Sequence, residues 1–229
     1  MPASSAPLEQ PARKAALRRG YAAARAAVPE PDRIAAGRRI RDHVLELPQV
    51  AAAGTVAAYY SAGTEPDTRK LVFALWKRGS YVVLPVLLPD GDLDWASYEG
   101  PDSLAPGPRG LLQPVDPVRG PGTVARADIV LVPALAVDGR GIRLGRGGGS
   151  YDRALARVRG TVPTIALLYD GELVDELPSE PHDQRVRAVA RPSHGITWLL
   201  RPGDAAGQRD PGIRGSPVRL SLAVCYCEC

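Results

Sequence analysis

The segment VLVPALAVDGRGIRLGRGGGSYDR, residues 130–153, decides how the chain is read. It opens on an unbroken apolar run, Val130-Leu131-Val132, of the kind that fills a strand buried on both faces. A loop follows with six glycines (Gly139, Gly141, Gly145, Gly147, Gly148, Gly149) and three arginines (Arg140, Arg143, Arg146), and Tyr151-Asp152-Arg153 then opens a helix. Strand, glycine loop, helix is how a backbone is brought close to phosphate. Glycine removes the side chains that would block approach, and consecutive N–H groups then point at one anion. Arginines add charge-assisted hydrogen bonds to phosphate oxygens. Asp152 supplies the hard oxygen ligand suited to the Mg²⁺ that accompanies a nucleotide.

Two better-known phosphate loops are excluded. A Walker loop ends in Gly-Lys-Ser/Thr, and no lysine lies between Lys77 and the C-terminus. The dinucleotide fingerprint needs a glycine three residues after Gly147, where this chain has Ser150. A flexible linker is Gly/Ser-rich, whereas this segment is arginine-rich and joins a strand to a helix.

Working outward, alanine-rich residues 11–28 read as a helix stopped by Pro29, with Leu17 and Tyr21 as apolar anchors. A second helix is expected over 32–47, with Asp32 as its N-cap. Strand 55–60, helix 65–78 and strands 81–84 and 93–98 follow. Pro66 suits that helix's first turn and Gly79 its C-terminal cap. Residues 100–122, rich in Pro and Gly, read as a long ordered loop. Strand 128–132, helix 151–158 and strands 164–169 and 186–190 complete the pattern. Alternating strands and helices predict an α/β fold: a single domain over 11–200, a mostly parallel sheet and helices on both faces. Residues 1–10 and 201–229 read as disordered. The tail ends in Cys225-x-Cys227-x-Cys229, a spacing too tight for the common zinc frameworks.

Composition narrows the function. The net charge of +4 is uneven: residues 1–41 carry nine Lys/Arg against three Asp/Glu, whereas 42–200 carry 16 against 19. The basic excess therefore belongs to the N-terminal segment. Only Tyr21 interleaves that basic run, which argues against nucleic-acid binding and leaves phosphate as a fitting partner. The longest apolar stretch, 129–137, covers about half a membrane span and contains Pro133, so no membrane partner is expected. Cysteine is confined to 225–229, and no apolar signal core opens the chain; both suit the cytoplasm.

The stretch Gly141-Ile142-Arg143-Leu144-Gly145-Arg146-Gly147-Gly148-Gly149-Ser150-Tyr151-Asp152 resembles the signature of the 5-formyltetrahydrofolate cyclo-ligase family, also called 5,10-methenyltetrahydrofolate synthetases. Three further matches occur in order. Lys14-Ala15-Ala16-Leu17-Arg18 looks like the family's early Lys-x-x-x-Arg. Tyr59-Tyr60-Ser61 with Glu65 is similar to its strand end with a downstream Glu. Leu177-Pro178 with His182-Asp183 matches its late Leu-Pro…His-Asp. The resemblance covers roughly residues 12–200. It departs at position 148, Gly where some relatives have Lys, and at 150, Ser where an aromatic is common.

The resemblance implies ATP-dependent cyclisation of 5-formyltetrahydrofolate to 5,10-methenyltetrahydrofolate, with release of ADP and phosphate. It implies ATP contacts from Lys14, Arg18 and Arg143 through Tyr151, including Leu144, Gly145, Arg146, Gly147, Gly148, Gly149 and Ser150. Tyr60 and Glu65 would line the folate pocket, and Asp152 and Asp183 would hold Mg²⁺. His182 is assigned no role, and no side-chain nucleophile is required. Two other readings suit a phosphate loop on this fold: an enzyme resembling a sugar-phosphate isomerase, active without ATP, and a non-enzymatic nucleotide-binding module.

Overall fold

The computed structural model describes residues 6–200, so Met1–Ser5 and the cysteine-bearing tail lie outside the described residues. At the centre is a seven-stranded sheet. Its strands in chain order are β1 (Thr55–Ala57), β2 (Tyr81–Leu87), β3 (Leu93–Ser97), β6 (Ile129–Pro133), β9 (Thr164–Leu167), β11 (Ala188–Arg191) and β12 (Gly195–Trp198), and their spatial order is β12-β11-β9-β6-β1-β2-β3. The five inner strands pair in parallel, and the edges β3 and β12 pair antiparallel to their neighbours. Strand β6 sits mid-sheet, and its Ile129, Val130, Leu131 and Val132 are all buried, as a strand covered on both faces requires.

Helices cover both faces, as the sequence predicts. On one face Ile40 and Val44 of α2 (Glu30–Leu45) and Leu71, Val72 and Leu75 of α4 (Arg69–Lys77) pack with Leu131, Ile165 and Leu167. On the other, Ala154 and Leu155 of α5 (Ser150–Ala156) and Val124 of a 3₁₀ turn at Pro121–Arg126 pack with Val130, Val132 and Ala166. Fully burying each such Val, Leu or Ile contributes about 1.5–3 kcal/mol, so these two layers hold the domain together.

Several boundaries differ from the sequence reading. Helix α1 (Ala6–Ala26) takes in residues 6–10, and Pro11 in its second turn removes one backbone bond without ending it. Asp32 is not an N-cap. Extended Pro29 occupies that position, with Glu30 and Asp32 both in the first turn of α2, where the macrodipole favours acids. Pro48–Ala51 forms a short α3. Helix α4 starts at Arg69 rather than 65, because residues 61–68 close into a loop. The Ser61 N–H donates to the Thr68 hydroxyl (2.9 Å), the Thr68 N–H to the Ser61 hydroxyl (3.1 Å), and the Thr68 hydroxyl to the Tyr59 carbonyl (2.7 Å).

Strand β2 runs on through Pro85. Its neighbour β1 stops in register with Val83, so proline's missing N–H falls where no parallel partner needs it. The 100–122 segment contains a small hairpin, β4 (Leu104–Pro106) with β5 (Leu112–Pro114). The front of the glycine loop folds into a second sheet, which the sequence does not announce. Strand β7 (Ala136–Asp138) pairs antiparallel with β8 (Arg143–Leu144) and parallel with β10 (Leu173–Val174).

Candidate active site

A cleft of about 450 Å³ opens where β1 and β6 end, the side on which open α/β sheets bind ligands. Every residue singled out from the sequence lines it: Lys14, Arg18, Tyr60, Glu65, the loop from Arg143 to Asp152, and Asp183. The sheet alone does not bring them together. Helix α1 lies across the small sheet, with Leu17 and Tyr21 packed on Leu135, Ile142, Leu144 and Leu177. That docking aims Lys14 and Arg18, one turn apart on one face, at the glycine loop.

The loop is held by a carboxylate that motif reading passed over. Asp138 is fully buried. Its Oδ1 accepts the N–H groups of Arg140 (2.9 Å) and Ile142 (3.0 Å), and its Oδ2 accepts Leu177 N–H (3.0 Å) and the Arg140 guanidinium (2.7 Å). One side chain thus ties the β7–β8 hairpin to the strand of chain leading to Glu180 and Asp183. Within the loop, Gly147 has φ +100°, and a Cβ there would press on the Arg18 guanidinium at 3.2 Å. Glycine at 147 therefore serves both the left-handed backbone and the close approach of a cation.

Each cation of this wall is already engaged. The Lys14 ammonium donates to Glu180 Oε2 (2.6 Å) and Asp183 Oδ2 (2.7 Å). Burial works against that charge, but the hydrogen bonds and charges of Asp183 and Glu180 outweigh it and hold the Lys14 pKa above its ordinary value. Arg143 reaches Asp152 Oδ1 (2.9 Å), Arg146 reaches Glu65 Oε1 (3.2 Å), and Arg18 Nε donates to the Gly145 carbonyl (3.0 Å). Deeper in, Arg25 grips Glu172 through two hydrogen bonds of 2.7 Å and donates to the Ala134 carbonyl (2.6 Å). This buried pair bolts α1 to the floor, and beyond a basic helix nothing in the chain's pattern announces it.

The acids fit a hard divalent cation. The Gln184 N–H donates to Asp152 Oδ1 (3.1 Å), which brings the 180–184 segment against the end of the glycine loop. Ligand atoms of Glu180, His182 and Asp183 lie within 4.8 Å of one another. Carboxylate oxygens on two converging segments are the donor set Mg²⁺ takes beside substrate phosphates.

A protein-family model described as the 5-formyltetrahydrofolate cyclo-ligase family matches residues 10–192. The chain belongs to the 5-formyltetrahydrofolate cyclo-ligase family. A 5-formyltetrahydrofolate cyclo-ligase of Mycolicibacterium smegmatis is 43% identical over 150 residues, 63% of this chain and 77% of that protein. One from Escherichia coli K12 is 35% identical over 166 residues, 71% of this chain and 91% of that protein. The fold matches the NMR structure of Aquifex aeolicus 5,10-methenyltetrahydrofolate synthetase with a TM-score of 0.71 at 24% identity, over 88% of this chain and 99% of that one. A Mycoplasma pneumoniae 5,10-methenyltetrahydrofolate synthetase superposes with a TM-score of 0.61 at 21% identity, over 77% and 96%.

Membership makes the chain a cyclo-ligase enzyme and disfavours the isomerase-like and non-enzymatic readings. Among the described residues no helix is long and apolar enough to cross a membrane. Of the cleft residues given no role from the sequence, Tyr59 stands inside the Tyr59-Tyr60-Ser61 motif, and Glu180 was legible as an acid two residues before His182. Nothing in the sequence marked Arg25.

Proposed function

We propose that the cleft binds ATP and 5-formyltetrahydrofolate side by side and passes the terminal phosphoryl group from one to the other. The observation that carries this reading is the convergence of four motifs, from Lys14 to Asp183, on a single cleft. The loop amides of 145–149, with Arg18, Arg143 and Arg146, hold the nucleotide phosphates. Tyr60, Glu65 and the apolar wall of Pro85, Leu87, Leu93, Leu111 and Leu112 face the folate. Asp152 and Asp183 would hold Mg²⁺, which supplies charge neutralisation on the phosphates when bound.

In this scheme the formyl oxygen attacks the γ-phosphorus and ADP leaves, giving an N5-iminium phosphate. N10 then adds to the former formyl carbon and loses its proton. Departure of phosphate, carrying the formyl oxygen, leaves the 5,10-methenyl product. The protein's tasks are alignment and charge stabilisation rather than covalent chemistry. Confinement of cysteine to 225–229 suits a cytoplasmic setting.

The test is the absorbance of methenyltetrahydrofolate formed from 5-formyltetrahydrofolate. Product is expected only with Mg-ATP. Formation without nucleotide, or none with it from well-folded protein, would overturn the reading.

A further inference from the structure

The floor of the cleft contains a polar group that the protein itself leaves unmatched. The hydroxyls of Tyr169 and Tyr81 meet partners, the Thr64 carbonyl (3.3 Å) and the Ser97 hydroxyl (2.7 Å). Those of Tyr59 and Tyr151 are shielded from solvent and meet no hydrogen-bond partner among the described residues. Both of these tyrosines line the cleft. Tyr151 belongs to the glycine-loop signature; Tyr59 lies two residues past the end of β1, in the segment that carries Tyr60 and Glu65. A buried donor without an acceptor costs folding stability, and such atoms in native proteins call for an explanation. Two such hydroxyls among the residues lining one cleft point to a ligand as the absent acceptor.

Tyr59 is also fixed in place. Its carbonyl accepts the Thr68 hydroxyl, the residue is 4% exposed, and the Ser61–Thr68 hydrogen bonds lock the loop that presents Glu65. Glu65 is pinned in turn by the Ala62 N–H (2.9 Å) and by Arg146.

We propose that the Tyr59 hydroxyl is a hydrogen-bond donor to an acceptor atom of the formylfolate, working beside the Glu65 carboxylate, which accepts. A fixed donor next to a fixed acceptor complements a heterocycle edge that carries both a carbonyl and an N–H, as a reduced pterin does. The nucleotide phosphates, being acceptors only, have no use for Glu65. Burial, and then the charge of Glu65, push the Tyr59 phenol well above its usual range, which favours the protonated, donating form. The inference rests on the reading of the cleft as a formylfolate site.

The test is Tyr59→Phe, which removes one oxygen and keeps the ring. Both proteins are titrated calorimetrically, first with a non-hydrolysable ATP analogue in the presence of Mg²⁺ and then, at saturating analogue, with 5-formyltetrahydrofolate, and melting temperatures are compared. The expected result is about five- to tenfold weaker folate binding, unchanged affinity for the ATP analogue, and a melting temperature that is not lowered. Equal folate affinity in the two proteins would overturn the proposal and assign the hydroxyl to a buried water. Parallel loss of folate, nucleotide and thermal stability would also overturn it, making Tyr59 a packing residue. Failure of the parent protein to bind formylfolate at all would overturn the functional reading as well, so the two failures are distinguishable.

Discussion

The two walls of the cleft are built on opposite principles. The wall formed by α1, the glycine loop and the 180–183 segment is charged, and its cations are held by acids of the protein itself: Lys14 by Glu180 and Asp183, Arg143 by Asp152, Arg146 by Glu65. The facing wall, from the β2–β3 and β4–β5 hairpins, presents Pro85, Leu87, Leu93, Leu111 and Leu112. A polyanion entering the first wall exchanges ionic partners that are already oriented, so little reorganisation remains for the reaction to drive. A flat heterocycle entering the second gains by covering apolar surface, at about 25 cal/mol per Å². Specificity at the first wall is a matter of exact placement, and at the second a matter of area.

That contrast can be broken by substitution. The largest effect is expected at the root of the charged wall. Gly141 has φ +81°, and a Cβ there would overlap the Val186 carbonyl oxygen, to whose residue Gly141 is also hydrogen-bonded. Gly141→Ala should cost about 2–4 kcal/mol in denaturant unfolding. Gly139→Ala in the same turn has open space and should stay within about 0.5 kcal/mol. Similar losses at both positions would mean that the loop is not set by this contact.

Next comes Asp152→Asn. It should lower turnover at least about tenfold, roughly 1.4 kcal/mol, and added Mg²⁺ should recover part of the loss. An unchanged rate at limiting Mg²⁺ would reduce Asp152 to the partner of Arg143. The smallest effect is expected on the apolar wall. Leu112 is 40% exposed, so Leu112→Ala should raise KM for formylfolate only about two- to threefold, roughly 0.4–0.7 kcal/mol, and leave KM for ATP alone. A matching change for ATP would erase the division between the walls.

The charged wall was also the more legible in sequence, because its chemistry demands particular residues at fixed spacing. Glycines at 145, 147, 148 and 149 and the aspartate at 152 can be read without a fold. The apolar wall offered only hydrophobic residues in Pro/Gly-rich chain, where Leu111 and Leu112 look like any loop leucines. The inner strands were readable because burial on both faces writes a continuous apolar run, as at Ile129–Val132. Strands β7, β8 and β10 were not, since two or three residues carry no period. The start of α4 was misplaced because Ser61 and Thr68 satisfy each other's backbone across the loop, an exchange that local propensity does not register. The Arg25–Glu172 pair joins positions 147 residues apart and leaves no local trace.

The reach of α1 has a consequence for how the protein is made. This helix leaves the ribosome before the strands of the sheet beside it, yet the acids that receive Lys14 lie 166 and 169 residues later. Its other partners, among them Ala134, Leu135, Gly145 and Glu172, also lie more than 100 residues further on. During synthesis α1 must wait, largely unanchored, while the sheet assembles behind it, and such distant contacts are slow to close. Helix α1 is therefore among the last elements to take its place, and the enzyme acquires its cleft only near the end of translation of the domain.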